Sequence, residues 1–238
     1  MRRILLAVSA LGLLVSTASA GGMNLSWDDC GTYGSIIKSF ACDSNVGFSS
    51  LIASAIAPVP MPQFVAMAGA ITVVSTEPTL PPWWNFDVGC RAGPPSALSA
   101  DFDFVTGPFH CHDVWAGQAS GGSNYQSNYS APNRARMRVV CAVADPVPID
   151  AVTENYLFRF TISNTNTSGA GNCAGCDAGA CLVLTSVELD QPVGVGDYIL
   201  TTPLAHQYVV WQGGFGGDCP GATPVRTTTW GGIKSLYR

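Results

Sequence analysis

Through most of this 238-residue chain, apolar and polar side chains alternate in short runs, and helical periodicity is almost absent. Successive side chains of a strand point to opposite faces, so such runs read as strands with one wet and one buried face. They fall near Ser49–Ala57, Phe64–Ser75, Leu98–Val105, Ala135–Val143, Tyr156–Ser163, Cys181–Asp190, Asp197–Thr201 and Gln207–Gln212. Pro58 to Pro62, Gly117 to Pro132 and Asn164 to Ala180 separate them. These pieces read as loops, because proline cannot continue a ladder and Gly, Ser and Asn favour turns. With 26 Gly, 16 Pro and only 11% charged residues, the pattern predicts an all-β fold. It is expected to be a single β-sandwich, jelly-roll-like, over residues 21–226, with disulfide-stapled loops. There is no internal repeat and no dividing linker.

Residues 1–20 have the make-up of a cleavable signal peptide. Arg2 and Arg3 are a basic start, Ile4 to Val15 is nearly unbroken apolar, and Ala18-Ser19-Ala20 fits the small-residue cleavage pattern. The apolar run is shorter than the ~20 residues a spanning helix needs. No cysteine follows the cleavage point to carry a lipid, and no later run is apolar enough to span a bilayer. The expected location is therefore secreted, extracellular or at the cell surface.

That compartment sets the chemistry of the nine cysteines. Outside the reducing cytoplasm, thiols pair as disulfides. Cys30, Cys42, Cys90, Cys111, Cys173, Cys176, Cys181 and Cys219 are the candidates. Short spacing favours Cys30–Cys42 and Cys90–Cys111, with pairing among the last four. Nine is odd, and Cys141 lies within the apolar alternation of Val139 to Val143, so it is the expected buried free thiol.

The chain carries 11 Lys and Arg against 16 Asp and Glu, a net charge of −5. Removing the two signal arginines makes it more negative. Such a chain lacks the broad basic surface that nucleic acid requires. No cofactor or metal is expected. On a strand, His110 and His112 share one face while Cys111 takes the other, so the three do not converge on zinc or copper. Cys173-Ala174-Gly175-Cys176 has Asp177 where haem attachment needs histidine. Gly117-Gln118-Ala119-Ser120-Gly121 lacks the spacing of a nucleophile elbow, and the chain has only three histidines and three glutamates. Asp101 and Asp103 alternate with Phe102 and Phe104 and are the one paired-carboxylate candidate for hydrolysis.

Arg134, Arg136 and Arg138 make the clearest pattern. They alternate with Ala135, Met137 and Val139, so three guanidinium groups share one strand face. Arg159 would extend this stripe if its strand were adjacent. Like charges so close need acidic neighbours or an anionic ligand, and Asp101, Asp103, Glu188 and Asp190 are the cross-strand candidates. Trp83 and Trp84, beside Asn85 and Asp87, have the make-up of a sugar-binding platform, although tryptophans next to prolines also plug sandwich ends.

Residues 227–238 form a distinct tail, with Trp230, Ile233, Leu236 and Tyr237 spaced for one face of a short helix or turn. The opening Asn24 to Gly31, Phe40-Ala41-Cys42-Asp43, the segment Arg134 to Ala144, and Thr229-Trp230-Gly231 with Ile233-Lys234 and Leu236-Tyr237-Arg238 resemble a group of exported β-sandwich proteins of environmental bacteria. These share this type of tail. The resemblance covers most of the chain after residue 20. It implies a bacterial exported β-protein and brings no activity or catalytic residue.

The expected function is therefore a non-enzymatic structural or interaction protein, secreted or on the cell surface. Its expected partner is a polysaccharide or another surface protein. An extracellular carbohydrate-binding module using Trp83, Trp84 or the arginines is the alternative, and a secreted hydrolase using Asp101 and Asp103 a distant third.

Overall fold

The computed structural model describes residues 21–93, 96–104, 107, 109–217 and 219–222. Residues 1–20, expected to be a signal peptide, and residues 227–238, expected to be a tail, lie outside the described residues. Twelve strands occur among them: β1 (Gly22–Trp27), β2 (Ile37–Lys38), β3 (Phe48–Ile56), β4 (Met61–Ser75), β5 (Leu98–Asp101), β6 (His112–Asp113), β7 (Ser120–Ser127), β8 (Arg134–Ile149), β9 (Asn155–Ser163), β10 (Ala180–Asp190), β11 (Tyr198–Leu200) and β12 (Tyr208–Trp211). No α-helix occurs among the described residues, and the helical pieces are single 3-10 turns such as Gly31–Tyr33 and Pro82–Trp84.

The strands form two sheets that pack face to face. One has five strands in the order β1-β3-β9-β5, with β6 also paired to β9. The other has seven, in the order β2-β12-β10-β4-β8-β7, with β11 on β10. Only β2 with β12 and β6 with β9 are parallel; the remaining pairs are antiparallel. The predicted all-β sandwich is the fold observed, and all eight strands expected from alternation are present. β1, β2, β6 and β7 are additional. β7 occupies part of the segment read as a loop, because its Ser, Gly and Asn residues form a solvent-exposed sheet edge.

Alternation decides what enters the core. On β8, Ala135, Met137, Val139 and Cys141 point inward and are buried. They lie beside Met67, Gly69, Ile71 and Val73 of β4 and face Leu51, Phe158, Phe160 and Ile162 of the five-stranded sheet. Gly69 is required where the sheets meet: a Cβ there would lie 2.8 Å from Phe158 Cε1 and 3.0 Å from Val139 Cγ1. An aromatic ring thus fills the space that a side chain at residue 69 would take.

One end of the sandwich is closed by an aromatic cluster. Trp83 stacks on Trp211 with centroids 5.0 Å apart and meets Trp84 edge-on, also at 5.0 Å. The Arg91 guanidinium lies 4.0 Å from the Trp83 ring centroid and donates to the Ser163 carbonyl. Its burial lowers its pKa to about 10, and it remains a cation at neutral pH.

Four disulfides staple the loops: Cys30–Cys111, Cys42–Cys176, Cys90–Cys173 and Cys181–Cys219. Cys141 is free and buried, as expected. The pairings Cys30–Cys42 and Cys90–Cys111 are corrected. Cys30 follows β1 of the five-stranded sheet, whereas Cys42 follows β2 of the other sheet, so the chain changes layers between them. Cys90 lies beside the Ser163 end of β9 and Cys111 beside its Asn155 end, with β5 carrying the chain between. Asn166 secures one true pair, donating to the Cys90 carbonyl (2.6 Å) and accepting from the Cys173 N–H (2.7 Å). The disulfides suit an oxidising compartment, and native disulfides typically contribute about 2–4 kcal/mol each.

Two measurements follow from this packing. Gly69→Ala should cost about 1–3 kcal/mol in urea unfolding through overpacking, and adding Phe158→Leu should recover part of it; an unchanged midpoint would contradict the close approach. Burial pushes the Cys141 thiol pKa well up. Ellman's reagent should therefore find no reactive thiol in the native protein and one after unfolding without reductant.

Candidate functional site

The arginine row lies where alternation puts it, on the outer face of the seven-stranded sheet. Its neighbours on that face differ from expectation. Arg136 has Gln126 of β7 on one side and Thr72 of β4 on the other; Arg138 has Asn124 and Ala70; Arg134 has Val74 of β4. No carboxylate stands opposite any of the three on an adjacent strand, and none of them forms an ion pair among the described residues. Arg136 lies 4.9 Å from the Tyr129 ring centroid and donates to its hydroxyl (3.2 Å). This holds the guanidinium in place without neutralising it.

The expected acidic partners are elsewhere. Asp101 of β5 pairs with Arg159 of β9, both in the five-stranded sheet. Arg159 therefore does not extend the stripe, and Asp101 does not pair with it. Asp103 lies beyond the end of β5 and donates its N–H to Asp101 Oδ1 (2.8 Å). The two aspartates do not stand side by side on one strand, and Arg159 already engages the Asp101 carboxylate.

Glu188 and Asp190 do share the outer face of the seven-stranded sheet, on β10. However, β4 lies between them and the arginines, presenting Ala66 and Ala68 opposite Asp190 and Glu188. Two strand spacings amount to about 9.5 Å. The result is a groove running over β4. Ala68, Gly69 and Ala70 form its floor, Arg136, Arg138 and Val140 one wall, and Ser186, Glu188 and Ile199 the other, enclosing about 210 Å³. Arg138 also borders a shallower depression of about 370 Å³ with Gly122, Ser123 and Asn124. Ile199 on the acidic wall is 66% exposed.

The acidic wall is electrostatically unsettled. Partial burial, followed by the charges of Glu188 and Asp197, raises the Asp190 pKa to about 6. One wall thus carries unpaired cations and the other carries Glu188, with Asp190 next along β10 beyond the groove, above a floor of methyl groups. Such a surface can receive a ligand carrying an anion toward β8 and hydrogen-bond donors toward β10.

Trp83 and Trp84 do not join this site. Both are fully buried in the end cluster, and the Trp83 indole N–H donates to Thr167 Oγ1 (3.0 Å). The sugar platform expected of them is therefore corrected: the prolines before them turn the rings inward, where they close the sandwich. Cys173, Cys176, Cys181 and Cys219 are divided among three disulfides and do not converge on one point. His110 Nδ1 meets Asp29 Oδ2 at 2.5 Å and its ring stacks on Tyr33, while His112 faces Asn155.

A serine–histidine contact escaped the sequence reading, since its members are 180 residues apart. Ser26 Oγ lies 3.2 Å from His206 Nε2. Ser26 is fully buried and its hydroxyl donates to the Gly31 carbonyl (2.8 Å). With the single hydroxyl proton committed there, Nε2–H is the donor to Oγ, the reverse of nucleophile activation. Nearby, Glu154 Oε1 accepts from Asn24 Nδ2 (2.7 Å) and Ser54 Oγ (2.6 Å), which secures the outer side of β1. The groove's own missed members, Ala68, Ala70, Ser186 and Ile199, carry no chemical signature until strand pairing places them beside the arginines.

The chain matches no protein-family model, no curated protein and no solved structure.

Because Asp190 holds its proton more tightly when folded than its ordinary value of 3.8, this residue favours the folded state most at low pH. That contribution is lost as pH rises through about 6. Asp190→Asn should accordingly raise Tm at pH 7.5 and leave it near wild type at pH 4. An equal shift at both pH values would mean that the carboxylate is not destabilised by its surroundings.

Proposed function

We propose that this protein is an exported, non-catalytic interaction protein that binds an anionic partner on the outer face of its seven-stranded sheet. One observation carries the reading: Arg134, Arg136 and Arg138 share an open face with no carboxylate on either adjacent strand. Clustered cations repel one another, and a bound anion relieves that repulsion through charge-assisted hydrogen bonds. Export is supported by the signal-like residues 1–20 together with the four disulfides. A binding role in place of hydrolysis is supported by the two polar clusters nearest to catalytic form. Asp101 is engaged by Arg159, and the Ser26 hydroxyl is buried and already committed as a donor.

Net charge provides a discriminating test. A chain of pI 4.9 and net charge −5 is repelled as a whole by a polyanion at neutral pH. Retention on polyanion-coated resins at low salt therefore requires a local cationic site. The wild type should be retained and should elute as salt rises, and the triple variant Arg134→Gln, Arg136→Gln, Arg138→Gln should flow through with a Tm no lower than that of the wild type. Flow-through of the wild type on carboxylated and sulfated resins alike would contradict the proposal.

A further inference from the structure

The geometry points to a carboxylated polysaccharide, a polyuronate, as the ligand of the groove over β4, with sugar carboxylates on Arg136 and Arg138 and sugar hydroxyls on Glu188 and Ser186. This rests on the anion-binding reading and adds the class of ligand. Three features of the groove select it.

The floor is apolar and its backbone is already used. β4 pairs with β8 along one edge and with β10 along the other, so it has no ladder left for a guest strand. An extended peptide laid here would bury its amides against Ala68 and Ala70 without partners, at a desolvation cost. A pyranose ring differs, because it can set a C–H face on methyl groups while its polar substituents project sideways toward the walls.

The walls are unlike in chemistry. Guanidinium groups donate only, and they match carboxylates bidentately. The Glu188 carboxylate is an acceptor when ionised, so it selects a group that carries protons. Uronate units offer both kinds of group on one ring: a carboxylate for Arg138 and Arg136, and hydroxyl donors for Glu188 and the Ser186 side chain. The backbones of the wall strands β8 and β10 stand about 9.5 Å apart across β4, the scale of one ring and its substituents. A densely sulfated chain satisfies the arginines as well, but brings further anions against Glu188 and Asp190.

Finally, the surface is continuous. Arg138 borders both the groove and the depression over Gly122, Ser123 and Asn124. A polymer lying across β8 would pass over Arg138, with the Asn124 side of β7 receiving the next sugar. Arg138 is thus the residue on which affinity should depend most.

The test is calorimetric titration of the intact protein with polygalacturonate, its methyl-esterified form and dextran sulfate, at low salt. Polygalacturonate should bind and the methyl ester should not. Arg138→Gln should weaken binding by about tenfold or more, as expected for loss of a charge-assisted pair, and Arg138→Lys should restore only part of it. Glu188→Gln separates the ligand classes: it should weaken polygalacturonate and strengthen dextran sulfate. If Glu188→Gln strengthens both, the polyuronate assignment is overturned while the anion-binding reading stands; if the methyl ester binds as well as the acid, the site does not recognise a carboxylate and both are overturned. If the wild type binds neither polyanion, both fall. A Tm no lower than that of the wild type shows for each variant that the fold is intact.

Discussion

The double pairing of β4 is the constraint on which the rest of the structure depends. This 15-residue strand is hydrogen-bonded to β8 along one edge and β10 along the other. Its inward residues Met67, Gly69, Ile71 and Val73 make the centre of the core, and its outward residues Ala68 and Ala70 make the groove floor. Small side chains serve both purposes. Gly69 admits Phe158 from the opposing sheet, and the alanines keep the walls of β8 and β10 apart. A larger residue on either face would close the sandwich contact or fill the groove. The core and the candidate site are therefore two faces of one strand.

The sandwich ends are secured differently. Few charges and many loops leave long stretches of backbone that no sheet pairs, and disulfides with aromatic clusters hold them. Trp83 stacks on Trp211, Trp84 meets both edge-on, and Arg91 lies over Trp83, its buried guanidinium without a carboxylate partner among the described residues. Ring faces and the Ser163 carbonyl offset part of the desolvation of that charge. Trp211 also donates its indole N–H to the Cys176 carbonyl (2.7 Å), which ties β12 to the loop held by Cys42. These features explain why the most conspicuous aromatic motif belongs to stability and not to binding.

Much of the fold was legible because alternation survives wherever a strand has one buried face. The eight strands read that way are present, and Cys141 is buried and unpaired because its position within Val139 to Val143 points inward. β7 was not legible: Ser120 to Ser127 spells a loop, and only Tyr125 inserts a large group, its hydroxyl donating to the Trp84 carbonyl. β2 and β6 have two residues each, too few for any pattern. The arginine face was legible, but its partners were not. Which strands become neighbours is fixed by the whole packing, and only that places Thr72 and Ala70 beside Arg136 and Arg138 while sending Asp101 to Arg159. Disulfide pairing failed for the same reason, since nearness along the chain does not survive a change of sheet between Cys30 and Cys42.

If the outer arginines are the ligand site, a bound polyanion must cover them and leave the arginines of the other sheet untouched. Arginine-selective labelling with phenylglyoxal, read by peptide mass spectrometry with and without saturating polygalacturonate, tests it most directly. Arg136 and Arg138 should become protected, while Arg159, engaged with Asp101 on the other sheet, should keep the same reactivity in both states. Unchanged labelling of Arg136 and Arg138 under conditions where the polymer is bound would contradict it.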